Sequence, residues 1–509
     1  MLCVSIGRTR HKMMITEIHE AARRGAQFIE LRLDFLAKAP DFNRLFGYKP
    51  CPFVATIRRQ EDGGRWNRSE QERQTLLRLC IASGHFDWVD LETDIADKIP
   101  RFGKVKRIVS YHNPREFPKD LEAILQKMAK QDADVLKIAV RAEHPADNIR
   151  VLSLIAKSPK PLVSLCLGDL GIPSRILAGK FGAPFTYCAF NKERGIAPGI
   201  LSMEEMQKVY AYDRIGKNTQ VFAVVGDPIE HSLSPLVHNA ALQALGLDAV
   251  YIPIRVPPGE LPATLQAFEQ VPVKGYSVTL PHKETAAQLA RDKDELTALT
   301  GSTNTLVRLP QGGFRAYNTD APAALAALQD KLATLPGKPN LQNLHVLVLG
   351  AGGVARAIVF ALVRAGAQVV VANRTLARAE KLAQDSGCRF VDWNARYNVK
   401  YDLLVNCTSV GMFPNLDETP MHHSALQPGQ IVFDTVYNPE TTLLIREARE
   451  RGCEVITGVE MFVRQAALQF RLFTGKEPPL DLMRKVVRRA LLPVHLREEE
   501  ELPEQDSKA

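Results

Sequence analysis

Short hydrophobic runs recur through the first 213 residues of the chain, and polar, helix-like segments separate several of them. The segments 69–82, 119–130 and 146–156 carry apolar residues at the spacing of one helix face. This alternation predicts strand and helix units that form a parallel sheet. Eight units in about 210 residues predict a small (β/α)8 barrel, with an open doubly wound sheet as the alternative. The predicted strands are 2–6, 28–33, 53–57, 88–91, 107–111, 135–140, 162–167 and 185–190.

The pattern changes twice further along the chain. A short polar join ends at residue 220 and a new strand follows at 221–225, whereas the Pro- and Gly-containing stretch 335–340 precedes a strand at 345–349. We therefore predict α/β domains throughout. They are a barrel at 1–213, a linker at 214–220, a substrate-binding lobe at 221–335 completed by helices from about 460–493, a dinucleotide-binding lobe at 340–459, and an acidic, disordered tail at 496–509.

Composition narrows the class of protein. Hydrophobic residues make up 45% of the 509 residues and charged residues 24%, as in ordinary soluble proteins, and the chain opens directly on a strand-like run, so we expect a cytoplasmic protein without a membrane span. The eight cysteines form no C-x-x-C pair, and the only histidine doublet, His422 and His423, lacks suitably spaced carboxylates or thiolates, so we expect reduced thiols and no metal site. The net charge of +8 is spread along the chain, which favours anionic small molecules over nucleic acid as partners.

The carboxyl ends of the predicted barrel strands are unusually charged, and in a barrel these ends share one mouth. Lys137 lies in the apolar strand VLKIAV, where desolvation would lower its pKa and let the amine attack a carbonyl; a lysine that extends to solvent is the alternative. His112, one strand earlier, could take and return protons, or be structural. Arg32, Arg58 and Arg175 suit a carboxylate substrate, although each alone reads as a surface ion pair.

Several motifs in this half occur together: ELR at 30–32 with Asp34, TIR at 56–58, SYH at 110–112, KIA at 137–139, SR at 174–175 and APG at 197–199. Together they resemble the type I 3-dehydroquinate dehydratases. The resemblance implies a barrel in which Lys137 forms an imine with the substrate ketone while His112 acts as general acid and base. The implied substrate contacts are Ser5, Glu30, Arg32, Arg58 and Arg175. That family usually reads SAPGQ where this chain has Ile196 and Ile200 around APG, so we expect two polar lid contacts to be missing.

A glycine-rich turn marks the predicted dinucleotide-binding lobe. Residues 350–355 read GAGGVA between a strand and a helical segment, the G-x-G-x-x-A form in which backbone approaches a pyrophosphate at a helix N-terminus. The next predicted strand ends in Asn373 and Arg374 where an acid would bind the ribose of NAD, so a cation favours NADP(H). A solvent-facing arginine is the alternative.

Polar residues also gather on predicted turns between residues 226 and 320, as binding of a polyhydroxylated ring requires. Taken singly, Ser234 before Pro235, and Asp320 before an Ala-rich helix, are better explained as helix N-caps.

Those turns, with NCTSVGM at 406–412, DTVYNP at 434–439 and GVEMFVRQAA at 458–467, resemble shikimate dehydrogenase over about residues 221–490. The resemblance implies that Lys283 and Asp320 exchange the hydroxyl proton as a hydride moves between the ring carbon and the nicotinamide. The implied substrate ligands are Ser232, Ser234, Thr279, Asn304, Tyr437 and Gln465. The implied NADP ligands are Gly350, Ala351, Gly352, Gly353, Val354, Asn373, Arg374, Thr375, Arg378 and Gly458.

The two resemblances imply consecutive reactions, so we expect a fused shikimate-pathway enzyme that dehydrates 3-dehydroquinate and then reduces 3-dehydroshikimate with NADPH. Its partners are expected to be small molecules, with no nucleic acid or membrane. One alternative is a catabolic quinate/shikimate dehydrogenase fusion that prefers NAD, which Arg374 argues against. The other is a sensor or repressor without turnover, which the presence of all four reactive groups argues against.

Overall fold

The computed structural model describes residues 1–195, 197–337, 339–342 and 344–492, so Ile196 and the predicted tail at 496–509 lie outside the described residues. The chain forms two compact units. The first unit contains Met1–Glu230 and Asp248–Val273, and the second contains His231–Leu247 and the described residues from Lys274 onwards.

Parallel strands dominate the first unit. Within the described part of the first 214 residues, eight strands pair in parallel in the order β7-β6-β5-β4-β3-β2-β1-β8, which makes a nearly closed barrel. The predicted barrel is therefore confirmed, and the open doubly wound sheet is wrong for this region. The strands are β1 (Leu2–Ile6), β2 (Ile29–Arg32), β3 (Phe53–Thr56), β4 (Trp88–Glu92), β5 (Lys106–Asn113), β6 (Val135–Arg141), β7 (Leu162–Leu167) and β8 (Thr186–Ala189). The helices are α1 (His11–Arg23), α2 (Phe42–Leu45), α3 (Glu70–Ala82), α4 (Leu121–Ala129), α5 (Asp147–Lys157) and α6 (Ile172–Leu177).

The inward side chains of the barrel change character along each strand. Alternate residues of a strand face the same side, so a pair such as Val135 and Lys137 points inward together. Near the amino ends the inward positions are apolar and form one buried cluster, which includes Phe28, Val163 and Phe185. On most strands the next inward position, towards the carboxyl end, is polar, as Glu30 is on β2 and Asp90 on β4. This buried apolar layer lies directly beneath the polar residues.

The chain then passes through a region that contributes to both units. Its elements are β9 (Gln220–Gly226), α7 (Ser234–Ala244), β10 (Ala249–Arg255), α8 (Leu261–Ala267), β11 (Gly275–Val278), α9 (Lys283–Leu289), β12 (Asp292–Lys293), α10 (Glu295–Thr300), β13 (Thr305–Arg308), β14 (Phe314–Tyr317) and α11 (Asp320–Thr334). In the first unit β9 and β10 pair in parallel. In the second unit β13 pairs antiparallel with both β11 and β14, and β12 pairs in parallel with β14.

The remainder of the second unit is a parallel sheet with helices on it. Its elements are β15 (His345–Leu349), α12 (Gly353–Arg364), β16 (Gln368–Asn373), α13 (Leu376–Ser386), β17 (Arg389–Asp392), β18 (Leu403–Asn406), β19 (Ile431–Asp434), α14 (Leu443–Glu450), β20 (Glu454–Ile456), α15 (Gly458–Thr474) and α16 (Leu480–Leu491). The strand order β17-β16-β15-β18-β19-β20 is that of a Rossmann fold, which confirms the predicted fold class. The order reverses between β15 and β18, and ligands of such sheets bind at that point.

The last two helices return to the beginning of the second unit. Helix α15 packs on α11 and β13, and α16 packs on α7. Polar residues on α15 can thereby reach the turns that precede α9 and α11. Among the described residues, none of the helices combines the length and the hydropathy that a membrane span requires.

Two candidate active sites

Lys137 lies in the middle of β6 with its side chain buried inside the barrel. Its Nζ is 3.0 Å from Asp90 Oδ2 and 3.5 Å from Glu30 Oε1. The ring of Tyr187 lies on another side, with its centre 3.9 Å from Nζ. The alternative of a lysine extended to solvent is therefore wrong. The neighbours of Lys137 along the strand are apolar, as predicted, but two carboxylates from β2 and β4 also lie beside the amine.

Hydroxyl groups fix both carboxylates. Ser5 Oγ and Thr56 Oγ1 each donate to one oxygen of Glu30, at 2.5 and 2.9 Å. Ser110 Oγ donates to Asp90 Oδ1 at 2.5 Å. Burial raises the pKa of Asp90, but the neighbouring Arg58, Lys137 and His112 lower it by more, so the net pKa lies below the ordinary value. The ionised form of Asp90 beside the amine is therefore favoured.

The arginines of the barrel differ in how they are paired. Arg58 is buried, with its guanidinium 2.8 Å from Asp90 and 2.7 Å from Glu92. Arg32 donates to both oxygens of Asp34, at 2.9 and 2.8 Å. Arg175, on α6, is buried, and its Nε has no hydrogen-bond partner among the described residues. Because all three are buried, the surface ion-pair alternative is wrong for each of them.

Arg175 has an unusual environment for a cation. Burial lowers its pKa to about 10, and the side chains that interact with it electrostatically are the thiols of Cys166 and Cys188. A buried guanidinium with a donor left over can bind an anionic ligand that the protein itself does not supply. Of the two predicted lid positions, Ile200 is half-buried and its backbone N–H donates to Ala197 O, whereas Ile196 lies outside the described residues.

His112 is two residues beyond Ser110 on β5 and therefore has the same inward orientation. The ladder pairs Ser110 with Lys137 and His112 with Ala139, so the histidine lies one step nearer the carboxyl ends than the lysine. Its Nδ1 is buried without a hydrogen-bond partner among the described residues. Burial lowers the pKa of His112 well below its ordinary value, and the cations Arg58 and Lys137 lower it further. The imidazole is therefore neutral near pH 7 and can accept a proton.

Two neighbours of Lys137 were missed from sequence. Asp90 lies two residues before Glu92 on β4, and Tyr187 lies two residues after the buried Phe185 on β8. The alternation of strand positions marks both as inward-facing once the barrel is assumed. Reading only the final residue of each strand overlooks this deeper layer.

The second site lies where two helices of the second unit begin. Lys283 is the first residue of α9 and Asp320 the first of α11, and Nζ is 2.5 Å from Asp320 Oδ2. Asn304 Nδ2 donates to Asp320 Oδ1 at 2.9 Å and to Thr319 Oγ1 at 2.8 Å. Gln465 on α15 comes within 3.5 Å of the same Asn304 amide. The structure thus joins four residues from distant parts of the sequence into one cluster.

The capping interpretations are wrong at both positions where they were favoured. Thr319 holds the N-cap position of α11, and the Asp320 carboxylate binds Lys283 and Asn304 instead of capping the helix. Helix α7 begins at Ser234, with Leu233 in the N-cap position and no side-chain cap.

Among the described residues, four of the six predicted substrate ligands lie outside this hydrogen-bonded cluster, namely Ser232, Ser234, Thr279 and Tyr437. Ser232 Oγ accepts from the Ser234 N–H at 3.3 Å, and Thr279 O accepts from the His282 N–H, close to Lys283 in sequence. The Tyr437 ring packs on Phe462, with 4.5 Å between ring centres. Burial raises the pKa of the Tyr437 hydroxyl, which keeps it protonated as a donor.

The glycine-rich turn lies at the point where the sheet order reverses. Gly350 has φ +108°, and a Cβ there would approach Cys407 O on the neighbouring strand end to 3.0 Å. A Cβ on Gly353 would come within 3.1 Å of Ser302 Oγ and 3.5 Å of Lys283 Cδ, so the turn passes close to the Lys283–Asp320 pair. Gly352 holds the N-cap position of α12, and a Cβ there would have no atom within 4 Å. The helix N-terminus is therefore open at this point. Ala351 and Val354 are partly buried.

The end of β16 carries the groups that meet the ribose in such folds. Asn373 Nδ2 donates to Thr375 O at 2.9 Å, which fixes the turn. Arg374 and Arg378 are exposed, and neither has a carboxylate partner among the described residues. Cations in this place fit the 2′-phosphate of NADP. Gly458 opens α15, where a Cβ would lie 2.2 Å from Val436 O, so no larger residue fits.

The described part of the chain holds no cluster of side chains that could bind a metal ion. No group of three or more His, Cys, Asp or Glu side chains there is arranged to hold an ion.

Comparison with family models divides the chain in the same way as the two sites. The model for type I 3-dehydroquinase matches residues 2–217. Three models match the rest: the shikimate dehydrogenase substrate binding domain at 224–306, shikimate/quinate 5-dehydrogenase at 332–411, and the shikimate 5'-dehydrogenase C-terminal domain at 458–488. The fold and these matches define a class of protein in which a type I dehydroquinase barrel precedes a shikimate dehydrogenase.

Individual relatives narrow this class. The chain is 35% identical over 507 residues to the chloroplastic bifunctional 3-dehydroquinate dehydratase/shikimate dehydrogenase of Arabidopsis thaliana, an alignment that covers 95% of this chain and 83% of the relative. It therefore belongs to the family of bifunctional 3-dehydroquinate dehydratase/shikimate dehydrogenases.

The second half has further relatives of its own. It is 43% identical over 282 residues to the shikimate dehydrogenase (NADP(+)) of Methanosarcina mazei, which covers 53% of this chain and 99% of the relative. A shikimate dehydrogenase solved in complex with NADP+ superposes with a TM-score of 0.52 at 30% identity, over 55% of this chain and 98% of that one.

Proposed function

We propose that this chain dehydrates 3-dehydroquinate to 3-dehydroshikimate in the barrel and then reduces that product to shikimate with NADPH in the dehydrogenase half. The observation that carries the proposal is the presence of both reactive pairs on one chain. A buried amine and a neutral imidazole lie on neighbouring barrel strands, and Lys283 lies 2.5 Å from Asp320 beside the glycine-rich turn.

The proposed domains are those predicted above: a dehydratase at 1–213, a linker at 214–220, a substrate lobe at 221–335 with helices from about 460–493, and a cofactor lobe at 340–459. The family matches at 2–217 and 224–306 support the first boundary.

In the proposed dehydration, Lys137 Nζ attacks the ketone carbon of 3-dehydroquinate, and water leaves as the imine forms. The imine draws electrons from the adjacent carbon, so His112 can remove a proton there and deliver it to the departing hydroxyl, which leaves as a second water. Hydrolysis of the imine releases 3-dehydroshikimate and the free amine. Asp90 and Glu30 stabilise the positive charge that the nitrogen carries in the protonated imine.

The remaining polar groups of the barrel are proposed to hold the substrate. Arg175 has a buried Nε–H that no described residue accepts, so it suits the substrate carboxylate. Arg32, Arg58, Ser5 and Glu30 are proposed to bind its hydroxyl groups.

In the proposed reduction, NADPH supplies the hydride when it is bound. Lys283 donates a proton to the oxygen that becomes a hydroxyl group, and Asp320 holds the lysine in place. Asn304 holds the Asp320 carboxylate through a 2.9 Å hydrogen bond. The proposed substrate ligands are Ser232, Ser234, Thr279, Asn304, Tyr437 and Gln465.

NADP is proposed over NAD because Arg374 and Arg378 follow β16 where NAD-binding folds carry an acid. The relative from Methanosarcina mazei is an NADP(+) enzyme by name. Residues 350–354, Gly458, Asn373 and Thr375 are proposed to bind the cofactor together with the two arginines, and Asn373 also donates to Thr375 O.

A cytoplasmic location is also proposed. It is supported by the eight cysteines, all of which are free thiols, as is usual in a reducing compartment. The Arabidopsis relative is chloroplastic by name, so cell fractionation decides between compartments.

A coupled assay tests the function. Purified protein receives 3-dehydroquinate and NADPH, and both the absorbance of dehydroshikimate and the consumption of NADPH are followed. We expect the wild type to consume NADPH, Lys137→Ala to do so only when given 3-dehydroshikimate, and Lys283→Ala to accumulate dehydroshikimate. Binding of both ligands without turnover by the wild type would instead indicate a sensor.

A further inference from the structure

Arg73 is a fully buried arginine on α3, outside the barrel sheet, whose guanidinium reaches in among the barrel strands. Nη1 donates to Ile57 O at 2.9 Å and to Glu92 Oε2 at 2.6 Å. Nε and Nη2 donate to the two oxygens of Glu70, both at 2.8 Å. All three guanidinium nitrogens are thus bonded, which leaves the side chain a single position.

Glu92 connects Arg73 to a second buried arginine, Arg58, because each of its carboxylate oxygens accepts from one of them. While Oε2 accepts from Arg73, Oε1 accepts from Arg58 Nη1 at 2.7 Å. The same Arg58 nitrogen also donates to Ser110 Oγ at 3.0 Å. Burial raises the pKa of Glu92, although the two arginines lower it, so its ionised form depends on both of them.

Arg58 in turn lies beside the carboxylate nearest the reactive amine. Its Nη2 is 2.8 Å from Asp90 Oδ2, and that oxygen is 3.0 Å from Lys137 Nζ. An unbroken series of buried charges of alternating sign therefore runs from α3 to the amine. Each member lies within ion-pair distance of the one before it.

We propose that Arg73 and Glu92 are positioning residues for the dehydratase, which fix Arg58 and, through it, Asp90 beside Lys137. This inference rests on the proposed function, because it takes Lys137 as the amine that forms the imine. Neither residue belongs to the predicted catalytic or substrate-binding set.

The physical reason is the geometry of Arg58. Without Arg73, the Glu92 carboxylate keeps one cation instead of two, so Arg58 is drawn towards it and away from Asp90. A shift of about 1 Å in a reacting group can lower a rate by about 100-fold. Loss of Arg73 should therefore impair the dehydration step more than substrate binding.

The test compares variants of the full-length chain. Arg73→Met removes the charge, Arg73→Lys keeps the charge without the forked donor, and Arg73→Met with Glu92→Leu removes the whole pair. Arg101→Met is the matched control, because Arg101 also binds two carboxylates but lies at the surface. The readouts are kcat and KM of dehydration, the dehydrogenase rate of the same sample, and the urea midpoint of unfolding.

We expect Arg73→Met to lower kcat of dehydration roughly 10- to 100-fold with a smaller change in KM, and to leave the dehydrogenase rate unchanged. Arg73→Lys should recover part of the loss. The double variant should regain the unfolding midpoint, because no buried charge is left unpaired, while its kcat stays low. Arg101→Met should match the wild type.

Two results would overturn the inference. One is a normal kcat in Arg73→Met. The other is recovery of kcat together with the midpoint in the double variant, which would make the pair merely structural; this variant also decides the question if Arg73→Met alone fails to fold. Failure of the proposed function is distinguishable, since it would show as a wild type without dehydration or as full activity in Lys137→Ala.

Discussion

The two candidate sites each centre on a lysine, but they hold it in different ways. Lys137 lies on a strand inside the barrel, between two carboxylates and an aromatic ring, and a buried arginine binds one of those carboxylates. Lys283 begins a short helix, and Asp320 is the carboxylate that it binds. The first lysine is built into a network of charges, and the second belongs to a pair.

The difference matches the chemistry proposed for each half. Imine formation is carried out by the protein alone, so every charge around the amine must be in place before the substrate arrives. In a reduction the cofactor brings the hydride, and the chain need only orient the substrate and handle one proton. The Lys283–Asp320 pair beside the glycine-rich turn suits this smaller task.

The largest effect that sharpens this comparison is expected at His112. If amine and base are separate groups in the barrel, His112→Gln should lower dehydration about 10²- to 10⁴-fold and still form the imine. Borohydride should therefore still trap a substrate adduct on Lys137, detectable by mass spectrometry of peptides. His11→Gln, at another barrel histidine, is the control. Loss of the adduct in His112→Gln would instead mean that the histidine is required for imine formation itself.

The next largest effect is expected on the dehydrogenase rate when the Lys283–Asp320 pair is altered. Since Lys283 and Asp320 are proposed to act as a unit, Asp320→Asn should lower dehydrogenase kcat about 100-fold, and adding it to Lys283→Ala should cost little more. Steady-state rates with 3-dehydroshikimate and NADPH measure this. Independent, multiplying losses in the double variant would contradict a shared role.

A smaller effect, on KM for NADPH, is expected from the two arginines that follow β16. Replacing Arg374 and Arg378 together by Ser removes two cations from the turn after β16 and should raise KM for NADPH about tenfold, with KM for NADH nearly unchanged. Replacement of Arg389 by Ser, an exposed arginine at the start of β17, serves as the control. An equal rise for both cofactors would show that the arginines do not bind the 2′-phosphate.

The smallest effect compares two buried aspartates. Cations hold the pKa of Asp90 low. The donors to Asp434 among the described residues are neutral groups of Asn406, Thr442 and Val436, and burial raises the pKa of Asp434 to about 6. Because this pKa lies above the ordinary 3.8, the folded state binds the extra proton, so the stabilisation is complete at low pH and is lost as the pH rises through 6.

The free energy of unfolding of the wild type relative to Asp434→Asn should therefore fall by about 1 kcal/mol between pH 5 and pH 7, measured by urea titration. A constant difference over that range would mean that Asp434 does not titrate there.

Much of the fold could be predicted from the chain, because strand positions depend on local alternation. The strands Leu2–Ile6, Leu162–Leu167 and His345–Leu349 begin and end where the hydrophobic runs do. The charged strand ends also indicated a polar barrel mouth, and the buried Lys137 was recognised from its apolar strand.

The omissions have physical causes. Asp90 and Tyr187 come close to Lys137 only when the barrel curves, which no local pattern reports. Ser234 and Asp320 looked like caps because helix starts attract polar residues for capping and for ligand binding alike. Arg73 looked like any arginine of an amphipathic helix, and its burial depends on Glu70 and Glu92 together.

The central claim is that each site carries one half of a two-step conversion. The most direct test mixes Lys137→Ala and Lys283→Ala proteins in one solution of 3-dehydroquinate and NADPH. Neither protein alone should produce shikimate, and the mixture should, because the intermediate can diffuse from the intact barrel of one chain to the intact dehydrogenase of the other. The account would be contradicted if the mixture produced no shikimate although Lys283→Ala still dehydrated 3-dehydroquinate and Lys137→Ala still reduced 3-dehydroshikimate. The two sites would then not be self-sufficient.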